Sequence, residues 1–575
     1  MKSSIDWWKL PAHEVVTALQ KKQVTPAALV NECRKRWELT DGLINATPLP
    51  CFDRAMERAA VGVDSAEDVL SGLPVMIKDL GEAVEGLRWV EGSLIYEKRT
   101  ADRTTATVAH IERRGGIVVG KTNIPEFGAE CQTFNAVFGV TCNPFDTRLT
   151  ASGSSGGSAA ALAVGQVWLA HGNDLGGSLR SPAAYNNVIG LRPSPGLVAT
   201  PGALPHPPWH DSTAPPPPPP AHQRLHSGGH WWVCKDEDGQ EGWFKLGLYA
   251  QNGPMARCAK DVALFLDGMR GTEGWRELGF HHPGAAAGGF LRYLTDGPKQ
   301  LPRKVLWMGS LGDLMEVDSE VMRVCWEAID WVKGQGVEVR EGQLAGIGEM
   351  PQVFRTLRSE IFEEKAQGET PIVLRDEYRD LVKPEVLWNT RDGLETSPED
   401  RRWARDQHRH FVSQLDQLFF RDGVDFILLP CAPIPPFDHR IRYPSRIGSM
   451  TFPFYTEWFR LTSIMSLSCC PTLSLPVGFT STSPPLPIGL QVVAPPFREK
   501  SLLQFASLYE EAHPSISGRV SLEHPVVCDP GDVISTHGSC LAIDGPRTAE
   551  EARVHHDESS RVYADRRREL HAWVD

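Results

Sequence analysis

The stretch TASGSSGGSAAALAVGQVWLAHGNDLGGSLRSPAAYNNVIGLRPSPG, Thr150 to Gly196, concentrates serine and glycine in two clusters whose serines Ser154 and Ser178 stand 24 residues apart. Glycine lets a backbone approach a ligand closely and adopt conformations closed to other residues, so a glycine-rich turn can aim several N–H groups at one point. In Asp174-Leu175-Gly176-Gly177-Ser178 a serine ends such a run. This is the arrangement needed if its Oγ attacks a carbonyl whose oxygen then becomes anionic. A serine hydroxyl is a weak nucleophile without a base. One is offered upstream in GLPVMIKDL, Gly72 to Leu80, where an apolar run reads as a strand that delivers Lys78 to its end. Burial disfavours the ammonium form and turns a lysine towards basic duty, with Ser154 placed to bridge Lys78 and Ser178.

Blander readings exist for the same residues. Glycine-serine stretches are commonly flexible linkers, and Gly153 to Gly157 also fits the G-x-S-x-G elbow, with Ser155 as nucleophile. The elbow needs a strand immediately before it. Asn143-Pro144-Phe145-Asp146-Thr147-Arg148 reads as a polar turn instead, so Ser155 is expected to be structural. Asp174 and Arg180 are read equally as a supporting ion pair or as a solvated one. Lys121 is assigned a structural role.

Outward from this segment, short apolar runs such as Pro74-Val75-Met76-Ile77 and Ile117-Val118-Val119 alternate with helical stretches, the texture of an α/β fold. Before them, Val15, Val16 and Leu19, and then Thr25-Pro26 ahead of Val30, Cys33 and Trp37, predict two amphipathic helices. Further on, Phe411, Leu415 and Leu418 predict a helix, and Phe426-Ile427-Leu428-Leu429 a buried strand. Residues 204–247 contain six consecutive prolines, Pro215 to Pro220, which suit neither helix nor sheet. This insertion is read either as a cover over a site entrance or as translated intron. Its His206, His210, His222, His226 and His230 recur at intervals that would suit metal only on a helix the prolines disfavour. From about Asp544 the chain is strongly charged and is expected to be a solvated tail.

The expected organisation is a helical part at 1–71, a catalytic core at 72–203, the insertion at 204–247 without regular structure, the remainder of the domain at 248–512, and a partly disordered extension at 513–575. The 575 residues carry a formal charge of -13 with 41% hydrophobic and 23% charged residues. That acidic balance, without long basic runs, argues against nucleic-acid partners and anionic membranes. No run approaches the ~20 apolar residues of a membrane span. The expected compartment is the cytoplasm, with the cysteines mostly reduced and buried.

Together with Gly120-Lys121-Thr122-Asn123, Asn143-Pro144-Phe145-Asp146, Gly190-Leu191-Arg192-Pro193, Gly253-Pro254-Met255-Ala256-Arg257 and the distal PTLSLPVGFTSTSPPLPIGLQVV, Pro471 to Val493, the Lys78, Ser154 and Ser178 motifs resemble the amidase signature family. The resemblance covers roughly Gly72 to Ala203, Gly253 to Arg270 and Asp425 to Ala512. It implies a single large α/β domain with a central mixed β-sheet surrounded by helices. It also implies an amide hydrolase without metal or organic cofactor, in which Ser178 is the nucleophile, Ser154 a bridging serine held by a cis peptide bond, and Lys78 the base. By the same resemblance the N–H groups of Leu175, Gly176, Gly177 and Ser178 form the oxyanion hole and Gly128 lines the substrate site. Asn173 stands where the family usually shows Thr or Ser, and no proton-transfer role is read for it.

The implied partner is a small-molecule amide, with a homodimer left open. Two alternatives stand beside it: a glutaminase component of a tRNA-dependent amidotransferase, which requires dedicated partner subunits, and a non-catalytic binding protein on the same fold. Substrate identity is expected to lie in about Trp275 to Asp422, where the sequence is not readable in pocket terms.

Overall fold

A computed structural model describes residues 5–62, 68–199, 201, 249–271, 289–365, 372–516 and 541–559. The short apolar runs become strands of one sheet: β1 (Leu49–Pro50), β2 (Pro74–Lys78), β3 (Ile117–Thr122), β4 (Leu169–Asp174), β5 (Ile189–Arg192), β6 (Gln251–Ala256), β7 (Lys304–Trp307), β8 (Glu338–Glu341), β9 (Phe426–Pro430), β10 (Thr472–Phe479) and β11 (Pro487–Val493). They lie in the order β1-β3-β2-β4-β6-β5-β10-β11-β9-β7-β8. The sheet is mixed. Neighbours β3, β2 and β4 run parallel, as do β9, β7 and β8, whereas the strands from β4 through to β9 pair antiparallel.

Alternate residues of a strand face opposite sides of a sheet, so a run that is apolar throughout buries both faces. Phe426 and Leu428 of β9 join one apolar cluster, while Ile427 and Leu429 join a second. The first cluster takes in the helices Ala12–Gln20 and Pro26–Ile44. Thr25 caps the latter, its Oγ1 accepting the Ala28 N–H at 3.2 Å, with Pro26 in the first turn as its missing N–H allows. The second cluster takes in the helices Met350–Lys365, Pro398–Asp416 and Arg460–Leu467.

Two readings are corrected. The chain after Asp544 is not a solvated tail throughout: Ile543–Asp544 pairs with Arg446–Ile447, and residues 549–559 form a helix. Ala552, His556 and Ser559 recur on one helical face and are buried, with Ala552 in the second cluster, so three modest side chains suffice to dock an otherwise charged helix. The segment before Ser155 is not simply a turn either. Asp146–Thr150 is a strand, but it pairs with Cys142–Asn143 in a small ribbon outside the central sheet and bridges to Asp438, and Ser155 is fully buried, so the elbow reading lacks its central-sheet strand. The insertion at 204–247, with its five histidines, lies outside the described residues. No helix of the described residues is long and apolar enough to cross a membrane.

Candidate active site

The parallel strands β2 and β4 bring their carboxyl ends side by side, the usual position of a site in an α/β sheet. Lys78 ends β2 and is wholly buried. Its Nζ lies within hydrogen-bond distance of four oxygens, Ser154 Oγ at 2.7 Å, Ser155 Oγ at 2.9 Å, and Asn173 Oδ1 and O at 2.7 and 3.2 Å. All four are neutral. Lys121, near the end of neighbouring β3 and equally buried, instead pairs with the Asp79 carboxylate. Two buried lysines on adjacent strands thus meet different partners, hydroxyl and amide oxygens in one case and a carboxylate in the other.

Ser154 follows a cis Gly153–Ser154 peptide bond. Ser155 stands at the N-terminus of the Gly156–Ala163 helix, and its N–H donates to the Ser178 carbonyl at 3.2 Å, tying the two serine clusters together. The turn that carries Ser178 is built on Asp174. One carboxylate accepts the Gly177 N–H at 2.8 Å, the Leu179 N–H at 3.1 Å and two bonds from Arg180 at 2.9 Å. Asp174 and Arg180 are both completely buried, so this pair is a supporting one, not a solvated one. Burial pushes the Asp174 carboxyl up, but Arg180, Arg192 and the turn N–H groups outweigh it and hold the group down at about 2.

Of the four turn N–H groups that the resemblance assigns to an oxyanion hole, Gly177 is the exception, because its hydrogen is committed to Asp174. Leu175, Gly176 and Ser178 line a cavity of about 360 Å³ together with Gly128, Ser154 and Asn173, and Gly177 is absent from that wall. Gly177 is needed for another reason: at φ +132° an added Cβ would stand 2.3 Å from Thr462 Oγ1. Gly128, at φ +68°, would place a Cβ 2.4 Å from Leu80 Cδ2. Ser178 is 8% and Ser154 2% exposed, and both line the cavity.

Among the described residues no histidine lies on the cavity wall. His171, on β4, accepts the Lys78 backbone N–H through Nδ1 at 3.4 Å and faces Asn252 Oδ1 through Nε2 at 3.0 Å. Burial pushes its pKa down to about 3, so it sits behind the site as a neutral sheet residue. Elsewhere, His13, Cys258 and Asp261 cluster, but the Asp261 carboxylate already receives the Ala12 and His13 N–H groups at 2.7 and 2.9 Å and joins one helix start to another.

Sequence reasoning gave Asn173 no role, yet its side chain is a direct partner of Lys78 and also donates to Leu80 O at 2.9 Å. The available signal was its place beside Asp174 at the end of a strand. A neighbour of the strand that ends in Lys78 must bring its own last residues alongside.

A family model described as Amidase matches residues 28–215 and 247–503 of this chain. The chain therefore belongs to the amidase family and is a hydrolase of carbon–nitrogen bonds. It is similar along nearly its whole length to a component of the glutamyl-tRNA(Gln) amidotransferase of Thermus thermophilus, with 29% identity over 90% of this chain and 99% of that protein. It is 24% identical to 6-aminohexanoate-cyclic-dimer hydrolase of Paenarthrobacter ureafaciens, over 91% of this chain and 98% of the relative. A bacterial aryl acylamidase of known structure shares the fold with a TM-score of 0.74 at 22% identity, covering 90% of this chain and 99% of its own.

Proposed function

We propose that this chain hydrolyses a carboxylic acid amide through an acyl-enzyme on Ser178, with Ser154 as relay and Lys78 as base. The observation that carries the reading is the wholly buried Lys78, its Nζ 2.7 Å from Ser154 Oγ. Burial strips hydration from an ammonium and so favours the neutral amine. Neutral Lys78 takes the Ser154 proton while Ser154 takes that of Ser178, whose Oγ attacks the amide carbon. The oxyanion is received by the N–H groups of Leu175, Gly176 and Ser178, each such donor contributing ~10²-fold or more in rate. The proton returns through Ser154 to the leaving nitrogen as the C–N bond breaks. Water then attacks the ester carbonyl by the reverse path and releases the acid.

The test is labelling of the purified chain with a fluorophosphonate, which esterifies an activated serine. Wild type is expected to label and Ser178→Ala not to. Label retained in Ser178→Ala would move the nucleophile elsewhere.

Asn173 positions Lys78. Asn173→Ala is expected to lower kcat by about 10- to 100-fold, the worth of a hydrogen bond to a group that becomes charged during the reaction, with KM little changed. Asn173→Thr, which restores a short polar side chain, should recover part of the loss. An unchanged kcat in Asn173→Ala would leave the contact a structural one.

A second reading is favoured by the full-length similarity to an amidotransferase component: the same chemistry would then release ammonia from glutamine for a partner complex. Glutaminase activity that appears only with co-purifying subunits would select it over a free-standing amidase.

A further inference from the structure

The helix Met350–Lys365 turns one face to the cavity, presenting Phe354, Arg358, Ile361 and Phe362, residues spaced for a single helical stripe. Three of these are apolar and one is a guanidinium. Arg358 is only 8% exposed.

Four neighbouring cations each have an acidic side chain as partner. Arg355 pairs with Asp392, Lys383 with Glu130 at 2.8 Å, Arg442 with Glu385 at 2.7 Å, and Arg99 with Glu91 at 3.8 Å. Arg358 makes no ion pair among the described residues. Its Nη1 donates to Asn389 Oδ1 and its Nη2 to Tyr455 OH at 2.6 Å, while Asn389 Nδ2 donates to the same Tyr455 oxygen at 2.7 Å. The ring of Phe362 lies 4.5 Å from the guanidinium carbon. Neutral groups therefore fix the plane of the guanidinium without neutralising it.

A buried cation held in this way is costly unless an anion completes it. Two of its five N–H groups are used, and Nε is neither hydrogen-bonded nor sealed away among the described residues. Glu130, an acidic residue of the same cavity wall, does not supply the missing charge. It is held by Lys383, and burial together with Glu385 pushes its carboxyl up to about 8.

We propose that Arg358 receives a carboxylate of the substrate, so that the cavity selects amides bearing a free carboxylate. A planar guanidinium matches a carboxylate in two parallel hydrogen bonds, a geometry that an uncharged group of the same size cannot reproduce. The apolar neighbours Phe354, Ile361 and Phe362 suit the hydrocarbon between that carboxylate and the scissile amide. The proposal rests on the reading of this cavity as the amide-hydrolysing site.

The test compares kcat/KM of the full chain within two matched pairs of amides. In the first, the acyl side differs: the mono-4-nitroanilide of glutaric acid against hexanoyl 4-nitroanilide. In the second, the amine side differs: 4-butyramidobenzoate against butyranilide. In at least one pair the carboxylate-bearing member should be preferred by about tenfold or more, as for a site built around a polar partner. Arg358→Met should bring that ratio close to unity, and Arg358→Lys should retain part of it. Ratios near unity in both pairs for wild type, or a ratio that survives Arg358→Met, would overturn the assignment. Wild type needs no variant to be informative, so misfolding of Arg358→Met does not rescue the idea. Fluorophosphonate labelling on the same preparation separates the two levels: labelled enzyme without preference sinks the carboxylate assignment alone, and unlabelled enzyme sinks the catalytic reading beneath it.

Discussion

Lys78→Ala is expected to lower kcat for amide hydrolysis by at least about 10⁴-fold, the scale on which loss of a member of a hydrolytic triad acts. The reason lies in the connectivity of the site. Lys78 Nζ is the basic group in contact with Ser154, and no histidine on the cavity wall among the described residues can take over the proton. Removing it leaves Ser154 and Ser178 as two weak acids with nowhere to send a proton. Substrate binding should change far less, because Leu175, Gly176 and the cavity wall are untouched, so the loss belongs in kcat. Lys121→Ala is the matched control. It strips the partner from buried Asp79, whose carboxyl burial already pushes up, and so should cost stability without abolishing turnover in the enzyme that remains folded. Steady-state kinetics of both variants, with thermal melts alongside, check the pair. A Lys78→Ala enzyme within about tenfold of wild type would exclude Lys78 as the base, since that loss is too small for a triad member.

The contrast between those two lysines also marks what the sequence made legible. GLPVMIKDL announces a buried strand ending in lysine, and the serine-glycine clusters announce tight turns, because these readings depend on local backbone chemistry. The N-terminal helices were equally readable from their cap and periodicity. Arg358 was not: it is one of two arginines in a polar-looking helix, and its setting among neutral partners exists only once Asn389 and Tyr455 have been brought to it from elsewhere in the chain. Gly177 was legible as part of a glycine-rich turn, but not as a donor already spent on Asp174. The docked helix at 549–559 escaped notice because three small or polar contacts among charges give almost no periodic hydrophobic signal.

Acidification should weaken the fold through three buried histidines. Burial pushes His171 and His556 down to about 3 and His408 to about 4, from an ordinary value of 6.5. Each is therefore neutral when folded and binds a proton more readily when unfolded. The stability this contributes is fully present above 6.5 and is lost as the pH falls towards the folded value. Between pH 7 and pH 5 each group forfeits about 2 kcal/mol, at up to 1.36 kcal/mol per unit. Glu130 works in the opposite sense, since a carboxyl raised to about 8 costs stability at neutral pH and returns about 2 to 3 kcal/mol over the same interval. The net of these four groups is a loss of about 3 kcal/mol at pH 5, a sizeable share of the usual 5–15 kcal/mol of a folded domain. His556 offers the cleanest check, because its ring stacks on Trp388 with centroids 5.0 Å apart and its replacement by phenylalanine keeps a ring while removing the titration. Urea unfolding at pH 7 and pH 5 should show His556→Phe losing about 2 kcal/mol less than wild type on acidification. Equal losses in the two proteins would mean that His556 titrates in the fold near its ordinary value, with the Glu385 carboxylate offsetting its burial.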